Sequence, residues 1–323
     1  LSVAGPDAPP AWTYALGDWA APFGIVLVVD RLSALMLALM SLLGLGALLF
    51  SLARWAWAGP RFHTMFLLLL AGVNGAVLTG DLFNLFVFFE VMLAASYGLV
   101  LHGSGERRVR AGLHYVAVNL TASMLFLIGA SLVYGAAGTL NMADLAARMP
   151  DLPPESAQLL AAASAVLATA FLIKAAMWPT GFWLPTTYAA ASAPAAAVLA
   201  ILSKVGVYVV LRLSLLLFGS EAGAFAGFGS GWLLAGGIAT ILYGTFGALA
   251  TRELPRAAGC CVTVSSGTVL AAVGIGGPEA VAGALFYMAG SILAGGALFL
   301  IAEVLERDRP GGVAEARVFV DEY

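Results

Sequence analysis

Three charged side chains interrupt long apolar stretches of the sequence, and their types suit the handling of protons. They are Glu90, Lys174 and Lys204, and the two lysines are the only ones in the chain. A buried lysine beside a carboxylate stays charged, whereas a lysine whose carboxylate partner moves away can release its proton. Because arginine does not deprotonate in proteins, this chemistry requires lysine.

All three charges are predicted to lie near the middle of a bilayer, where a charge costs at least about 2.5 kcal/mol on insertion scales. At 1.5 Å per residue, Glu90 lies roughly 10 Å into a helix that starts near Phe83. Lys204 lies roughly 15 Å into a helix that starts near Pro194. Three charges at one depth predict a hydrated proton relay. An ion pair that only holds helices together is the alternative interpretation.

Lys174 lies in an apolar stretch, residues 156–193, that is too long for one simple membrane span. Pro179 and Pro185 are predicted to break this helix, because proline lacks the backbone donor that a helix interior needs. Broken helices occur at membrane depth only where they are buried in protein or line a wet cavity, and transporters use them at ion sites. The sequence therefore predicts a discontinuous helix centred near Lys174.

Other polar residues give weaker signals. His114 could pass protons near the start of its helix, although a lone histidine there is more typical of an interface. Arg212 either extends the relay beyond Lys204 or reaches to the membrane surface. Asp81 is predicted to cap a helix in the GDLFN corner, and Glu303 is expected to contact solvent.

Composition and periodicity predict an all-α, polytopic transmembrane helix bundle without a separate soluble domain. Of the 323 residues, 61% are hydrophobic and 10% are charged, against roughly 25% charged in soluble domains. This excludes a cytosolic enzyme, a nucleic-acid-binding protein and a disordered or disulfide-stapled domain, and no metal-ligand spacing is visible. Nine runs are long enough to span a bilayer: about 33–53, 64–81, 83–101, 111–136, 156–178, 193–218, 230–251, 257–275 and 279–304.

The arginines predict the orientation of these spans. Alternate connections carry nine arginines, namely Arg54, Arg61, Arg107, Arg108, Arg110, Arg252, Arg256, Arg307 and Arg309. The opposite connections carry only Arg31 and Arg148. Cytoplasmic loops are enriched in Lys and Arg. The N-terminal segment is therefore expected outside and the C-terminal tail in the cytoplasm.

Three motifs resemble the antiporter-like family, which includes proton-pumping membrane subunits of respiratory complex I and large subunits of Mrp sodium/proton antiporters. They are GDLFNLFVFFEVMLAASYGLVL (80–101), IKAAMWPTGFWLPTTYAAASAP (173–194) and LSKVGVYVVLR (202–212). Their combination, together with residues 14–36, is most similar to the D-type subunits of Mrp antiporters. The resemblance covers nearly the whole chain.

The resemblance implies a fold with two inverted five-helix repeats, each with a broken helix. On this basis residues 1–323 form a single antiporter-like domain, with the first repeat at about 64–218 and a partial second repeat at about 230–304. Glu90 corresponds to the family's fifth-helix glutamate, Lys174 to its broken-helix lysine and Lys204 to its eighth-helix lysine.

Two departures from the family pattern stand out. Gly290, in FYMAGS, replaces a histidine that many relatives have, and residues 294–296 replace a lysine found nearby in some of them. The family's twelfth helix has no counterpart in the sequence. The chain is therefore expected to be an incomplete subunit.

The resemblance implies a non-enzymatic subunit of a bacterial inner-membrane complex that exchanges sodium or another monovalent cation for protons. Its expected partners are the other Mrp-type subunits and the lipid bilayer, with no nucleic acid, metal or cofactor. A proton-pumping subunit of a complex I-like oxidoreductase or a membrane hydrogenase is the alternative. A third interpretation is a scaffold whose own proton path is inactive.

Overall fold

The computed structural model describes residues 11–59, 61–103, 105–220 and 222–307. These residues form a two-stranded antiparallel hairpin followed by a bundle of helices. The elements are β1 Ala11–Ala15, β2 Val26–Asp30, α1 Arg31–Leu52, α2 Phe62–Leu78, α3 Leu82–Leu101, α4 Glu106–Ala137, α5 Met142–Arg148, α6 Pro154–Lys174, α7 Trp183–Ala190, α8 Ala193–Leu217, α9 Ser230–Ala250, α10 Leu254–Ile275 and α11 Pro278–Arg307.

The predicted helical membrane fold is confirmed. Eight of the described helices are long and apolar enough to cross a bilayer by length and composition. The apolar helix α2 is shorter, with 17 residues. Each of the nine predicted runs coincides with one of these helices. The chain is therefore a polytopic membrane protein.

Helix α8 lies at the centre of the bundle and contacts α1, α2, α3, α5, α6, α7, α10 and α11. All residues from Ala193 to Leu213 are buried. The small side chains at its start allow close packing, as the alanine-rich run predicts. Gly206 is the closest approach, because a Cβ there would lie 2.8 Å from the backbone nitrogen of Ala175.

The discontinuous helix is present. Helix α6 ends at Lys174, and the chain turns through Ala176, which has a left-handed φ of 58°. The amide of Trp178 donates to Thr240 Oγ1 on α9 at 2.8 Å, which ties the break to the bundle. Pro179 lies in the break.

The prediction that Pro185 breaks the helix is wrong. Pro185 lies in the first turn of α7, which runs from Trp183 to Ala190. The first backbone amides of a helix have no acceptor within the helix, so proline is tolerated there.

The hairpin was not predicted from the sequence. Strand β2 joins the end of α2, since Gly80 donates from its amide to the Val26 carbonyl at 2.8 Å. Asp30 then caps α1, accepting from the Ser33 amide at 2.7 Å while the Asp30 amide donates to Ser33 Oγ at 2.8 Å. The hairpin therefore fixes the first helix against the α2–α3 corner.

Candidate functional site

Glu90 and Lys174 are joined through the hydroxyl of Ser123. Lys174, at the end of α6, donates from Nζ to Ser123 Oγ on α4 at 3.0 Å. Ser123 donates a short hydrogen bond to Glu90 Oε1 on α3. Lys174 is only 3% exposed and Ser123 is also 3% exposed. The amine, hydroxyl and carboxylate therefore form a continuous donor-to-acceptor chain across three helices.

Aromatic rings enclose the amine end of this chain. The Phe126 and Phe171 ring centroids lie 4.7 Å apart, and Phe89 lies 6.0 Å from Phe126. Lys174 Nζ lies 5.1 Å from the Phe89 centroid, a distance at which the ring face attracts a cation. The rings limit the polar partners of the amine to those that the helices supply.

Hydrogen bonds in this order can carry a proton. The serine hydroxyl gives its proton to the carboxylate as it accepts one from the ammonium group, so the serine is unchanged overall. In a low-dielectric site, such a transfer removes opposite charges that are otherwise costly to bury. The arrangement thus links the protonation states of Glu90 and Lys174.

Lys204 occupies a different environment on α8. Its Nζ donates to Ser266 Oγ at 2.9 Å and to the Val262 carbonyl at 3.2 Å, both on α10. The side chain is 1% exposed. Both partners are neutral. The two lysine sites are nevertheless close in the fold, because Gly206 packs directly against the backbone at Lys174 and Ala175.

The structure separates the weaker candidates from this chain. Arg212 forms an ion pair with Asp30 at 2.6 Å, and its guanidinium carbon lies 5.2 Å from the Tyr208 ring centroid. His114 is exposed and packs beside Phe182, with ring centroids 5.6 Å apart. Neither residue contacts Glu90, Lys174 or Lys204 through the hydrogen bonds of the described residues.

The α2–α3 corner has the capping role predicted for it. Asp81 Oδ1 accepts from the Asn84 amide at 2.8 Å, and Asn84 Nδ2 donates to Thr79 Oγ1 at 2.9 Å. Burial raises the pKa of the Asp81 carboxyl above its ordinary value, because water is removed from the charged form. Asp81 is therefore structural at the turn before α3.

The expectation that Glu303 contacts solvent is wrong. Trp55 Nε1 donates to both of its carboxylate oxygens, at 2.7 and 2.8 Å, and Arg54 lies 3.9 Å away. The Glu303 side chain is only 18% exposed. It ties the end of α11 to the connection between α1 and α2.

Sequence reasoning missed three residues that complete these contacts: Ser123, Ser266 and Asp30. A pattern on α4 could have indicated the first, because Tyr115, Asn119 and Ser123 recur every four residues and therefore share a helix face. Within the described ranges, no group of three or more His, Cys, Asp or Glu residues could hold a metal ion.

Residues 79–315 match the family described as NADH:quinone oxidoreductase/Mrp antiporter, TM. The chain belongs to this family. It is 60% identical, over its whole length, to the D component of a probable K(+)/H(+) antiporter of Rhizobium meliloti, of which it covers 60%. It is 39% identical over 90% of its length to the D component of the Na(+)/H(+) antiporter of Alkalihalophilus pseudofirmus, of which it covers 59%.

The fold of this Mrp antiporter family member is also similar to a solved structure. A chain in the Mrp complex from Dietzia sp. DQ12-45-1b has a TM-score of 0.85 and 34% identity, over 92% of this chain and 55% of that one. The chain thus spans somewhat more than half the length of the proteins that it matches. The family match confirms the resemblance drawn from the three motifs.

Proposed function

We propose that this chain is the proton-relaying membrane part of a subunit of a cation/proton antiporter complex. It moves protons along Glu90, Lys174 and Lys204 in exchange for a monovalent cation. The observation that carries the proposal is the buried hydrogen-bond chain from Lys174 through Ser123 to Glu90 beside a helix break. In this role Lys174 stores a proton, Glu90 tunes its affinity and Lys204 passes it along the membrane midplane.

Sodium and potassium are the two cations to test. The names of the similar proteins from Alkalihalophilus pseudofirmus and Rhizobium meliloti specify sodium and potassium respectively. The proposed partners are the other subunits of an Mrp-type complex, in a bacterial inner membrane.

The proposed orientation places the hairpin outside and the arginine-rich connections in the cytoplasm. Contacts within the fold support the grouping of the connections. Arg107 pairs with Glu253 at 2.6 Å, so the connections before α4 and before α10 meet on one side. At the other end Arg212 pairs with Asp30, beside the hairpin. The proposed repeats at about 64–218 and 230–304 each remain within this one bundle.

The proposal is tested by replacing the charges of the relay. We expect Glu90→Gln and Lys174→Ala to abolish the cation-dependent dye response of everted vesicles that contain the whole complex. Sodium and potassium are added separately, and complex levels are matched by immunoblot. A full response in both variants would sink the relay. Lower assembly with unchanged turnover per complex would leave only a scaffold role.

A redox-driven proton pump is the second candidate, because the matched family also includes NADH:quinone oxidoreductase subunits. The same charged residues serve both functions. Purification of the intact complex distinguishes them. Flavin and iron–sulfur subunits in the complex would favour the pump, and small membrane subunits without redox centres would favour the antiporter.

A further inference from the structure

The Tyr97 hydroxyl is buried and has no hydrogen-bond partner among the described residues. Its ring packs edge-on against Tyr115, with centroids 5.4 Å apart. A buried polar group left without a partner costs about 1–3 kcal/mol. Such exceptions are uncommon in folded proteins and call for an explanation, often a functional one.

Tyr97 lies on the same face of α3 as Glu90. Seven residues separate them, which is about two turns or 10.5 Å along the helix. Because helical side chains lean towards the N-terminus, the Tyr97 hydroxyl points back towards Glu90. Glu90 is also the carboxylate whose charge acts on this hydroxyl. Ala94 lies between them on this face, and its methyl group leaves space beside both.

Helix α4 supplies a third polar group at the level of Ala94. Ser123 contacts Glu90 and Tyr115 contacts Tyr97, so Asn119, midway between Ser123 and Tyr115 on α4, lies opposite Ala94. Asn119 is 2% exposed and its Nδ2 donates to the Tyr115 carbonyl at 3.0 Å, which fixes the amide. A carboxylate, an amide and a hydroxyl thus surround one small side chain.

We infer that Tyr97, Ala94 and Asn119 form a niche through which Glu90 exchanges protons with the arginine-rich side of the membrane. In uptake by Glu90, the Tyr97 hydroxyl gives its proton to a water molecule in the niche, and that water protonates the carboxylate. Tyr97 regains a proton from water on its far side, so it is unchanged overall. Release follows the same steps in reverse. The inference rests on the proposed function and adds the route by which its first residue is reached.

The first test removes only the hydroxyl. Tyr97→Phe keeps the ring that packs against Tyr115, and we expect cation-driven turnover per complex to fall at least about tenfold, as when a positioned proton-transfer group is lost. KM for the cation should stay unchanged. Because proton transfer then limits the rate, turnover should slow more in D2O than it does in the unmodified complex.

The second test fills the niche. Ala94→Leu is expected to slow turnover as Tyr97→Phe does, since bulk replaces the space for water. Ala71→Leu adds the same bulk to an exposed face of α2 and should have no effect. Tyr115→Phe is the control for hydroxyl loss, because Ser96 Oγ retains its hydrogen bond to the Leu93 carbonyl at 2.7 Å.

The outcomes separate the niche from the relay. Unchanged turnover and isotope effect in Tyr97→Phe and Ala94→Leu, while Glu90→Gln is inactive, would overturn the niche and leave the relay intact. Loss of assembled complex without loss of turnover per complex would likewise overturn it, since packing alone would explain the effect. An active Glu90→Gln variant would instead contradict the proposed function itself.

Discussion

The two buried lysines differ in what holds them. Lys174 reaches a carboxylate through one hydroxyl, whereas Lys204 is bonded to a hydroxyl and a backbone carbonyl, both neutral. Burying an ammonium group is costly, and a carboxylate nearby offsets that cost far better than neutral dipoles do. The comparison indicates a division of labour, in which the Lys174 site holds a proton firmly and the Lys204 site transfers it onward.

The largest effect is expected from Lys204. Lys204→Met removes a buried charge whose partners are neutral, so the complex should assemble normally while cation-driven turnover is lost. Lys204→Arg keeps the charge but cannot release a proton, so it should also be inactive. Vesicle dye assays at matched complex levels measure both variants. Transport by Lys204→Met would show that this lysine only fills space.

Gly206 tests whether the two lysine sites depend on each other. In Gly206→Ala the new Cβ would lie 2.8 Å from the Ala175 nitrogen and 3.0 Å from the Lys174 carbonyl carbon, both backbone atoms. We expect a loss of about 1–3 kcal/mol in stability from this overpacking, and reduced turnover. Thermal unfolding of the purified complex measures the stability. Gly46→Ala, which meets nothing within 4 Å, is the control.

Ser123 carries the link that distinguishes Lys174 from Lys204. Ser123→Ala breaks both of its hydrogen bonds, and we expect turnover to fall about tenfold, which corresponds to about 1.4 kcal/mol. Initial rates of the vesicle response measure this. Ser131→Ala, on an exposed part of the same helix, should behave as the unmodified protein. Equal rates in the two variants would mean that Glu90 and Lys174 communicate without this hydroxyl.

Ser266 should give the smallest effect. In Ser266→Ala the Lys204 amine keeps the Val262 carbonyl as an acceptor, so only one of two neutral bonds is lost. A neutral hydrogen bond contributes about 0.5–1.5 kcal/mol, so a decrease of a few-fold is expected in the same rate assay. A larger decrease than in Ser123→Ala would reverse the contrast between the two sites.

The sequence predicted what depends on the cost of charge in an apolar stretch. Glu90, Lys174 and Lys204 stood out for that reason, and the nine apolar runs located the membrane helices. It did not reveal Ser123, because a serine on a membrane helix usually satisfies itself by bonding to its own backbone. Its role as a bridge depends on the packing of α3, α4 and α6, which no local pattern specifies.

The errors have a related origin. Glu303 was assigned to solvent because it lies near the end of a helix, but Trp55 reaches it from a connection 248 residues earlier. Pro185 was assigned to a helix break, but α7 begins only two residues before it. In both cases the outcome was decided by where a distant or neighbouring element begins and ends, which residue type alone does not determine.

The complete enclosure of α8 has a consequence for how the protein is made. When this helix first enters the bilayer, Lys204 lacks its partners, because they lie on α10 and α10 is synthesised later. Arg212, by contrast, can pair at once with Asp30 at the start of α1, which has already been made. Membrane insertion of α8 is therefore tied to the arrival of later segments, and nascent chains that end before α10 should be the ones that quality-control proteases remove.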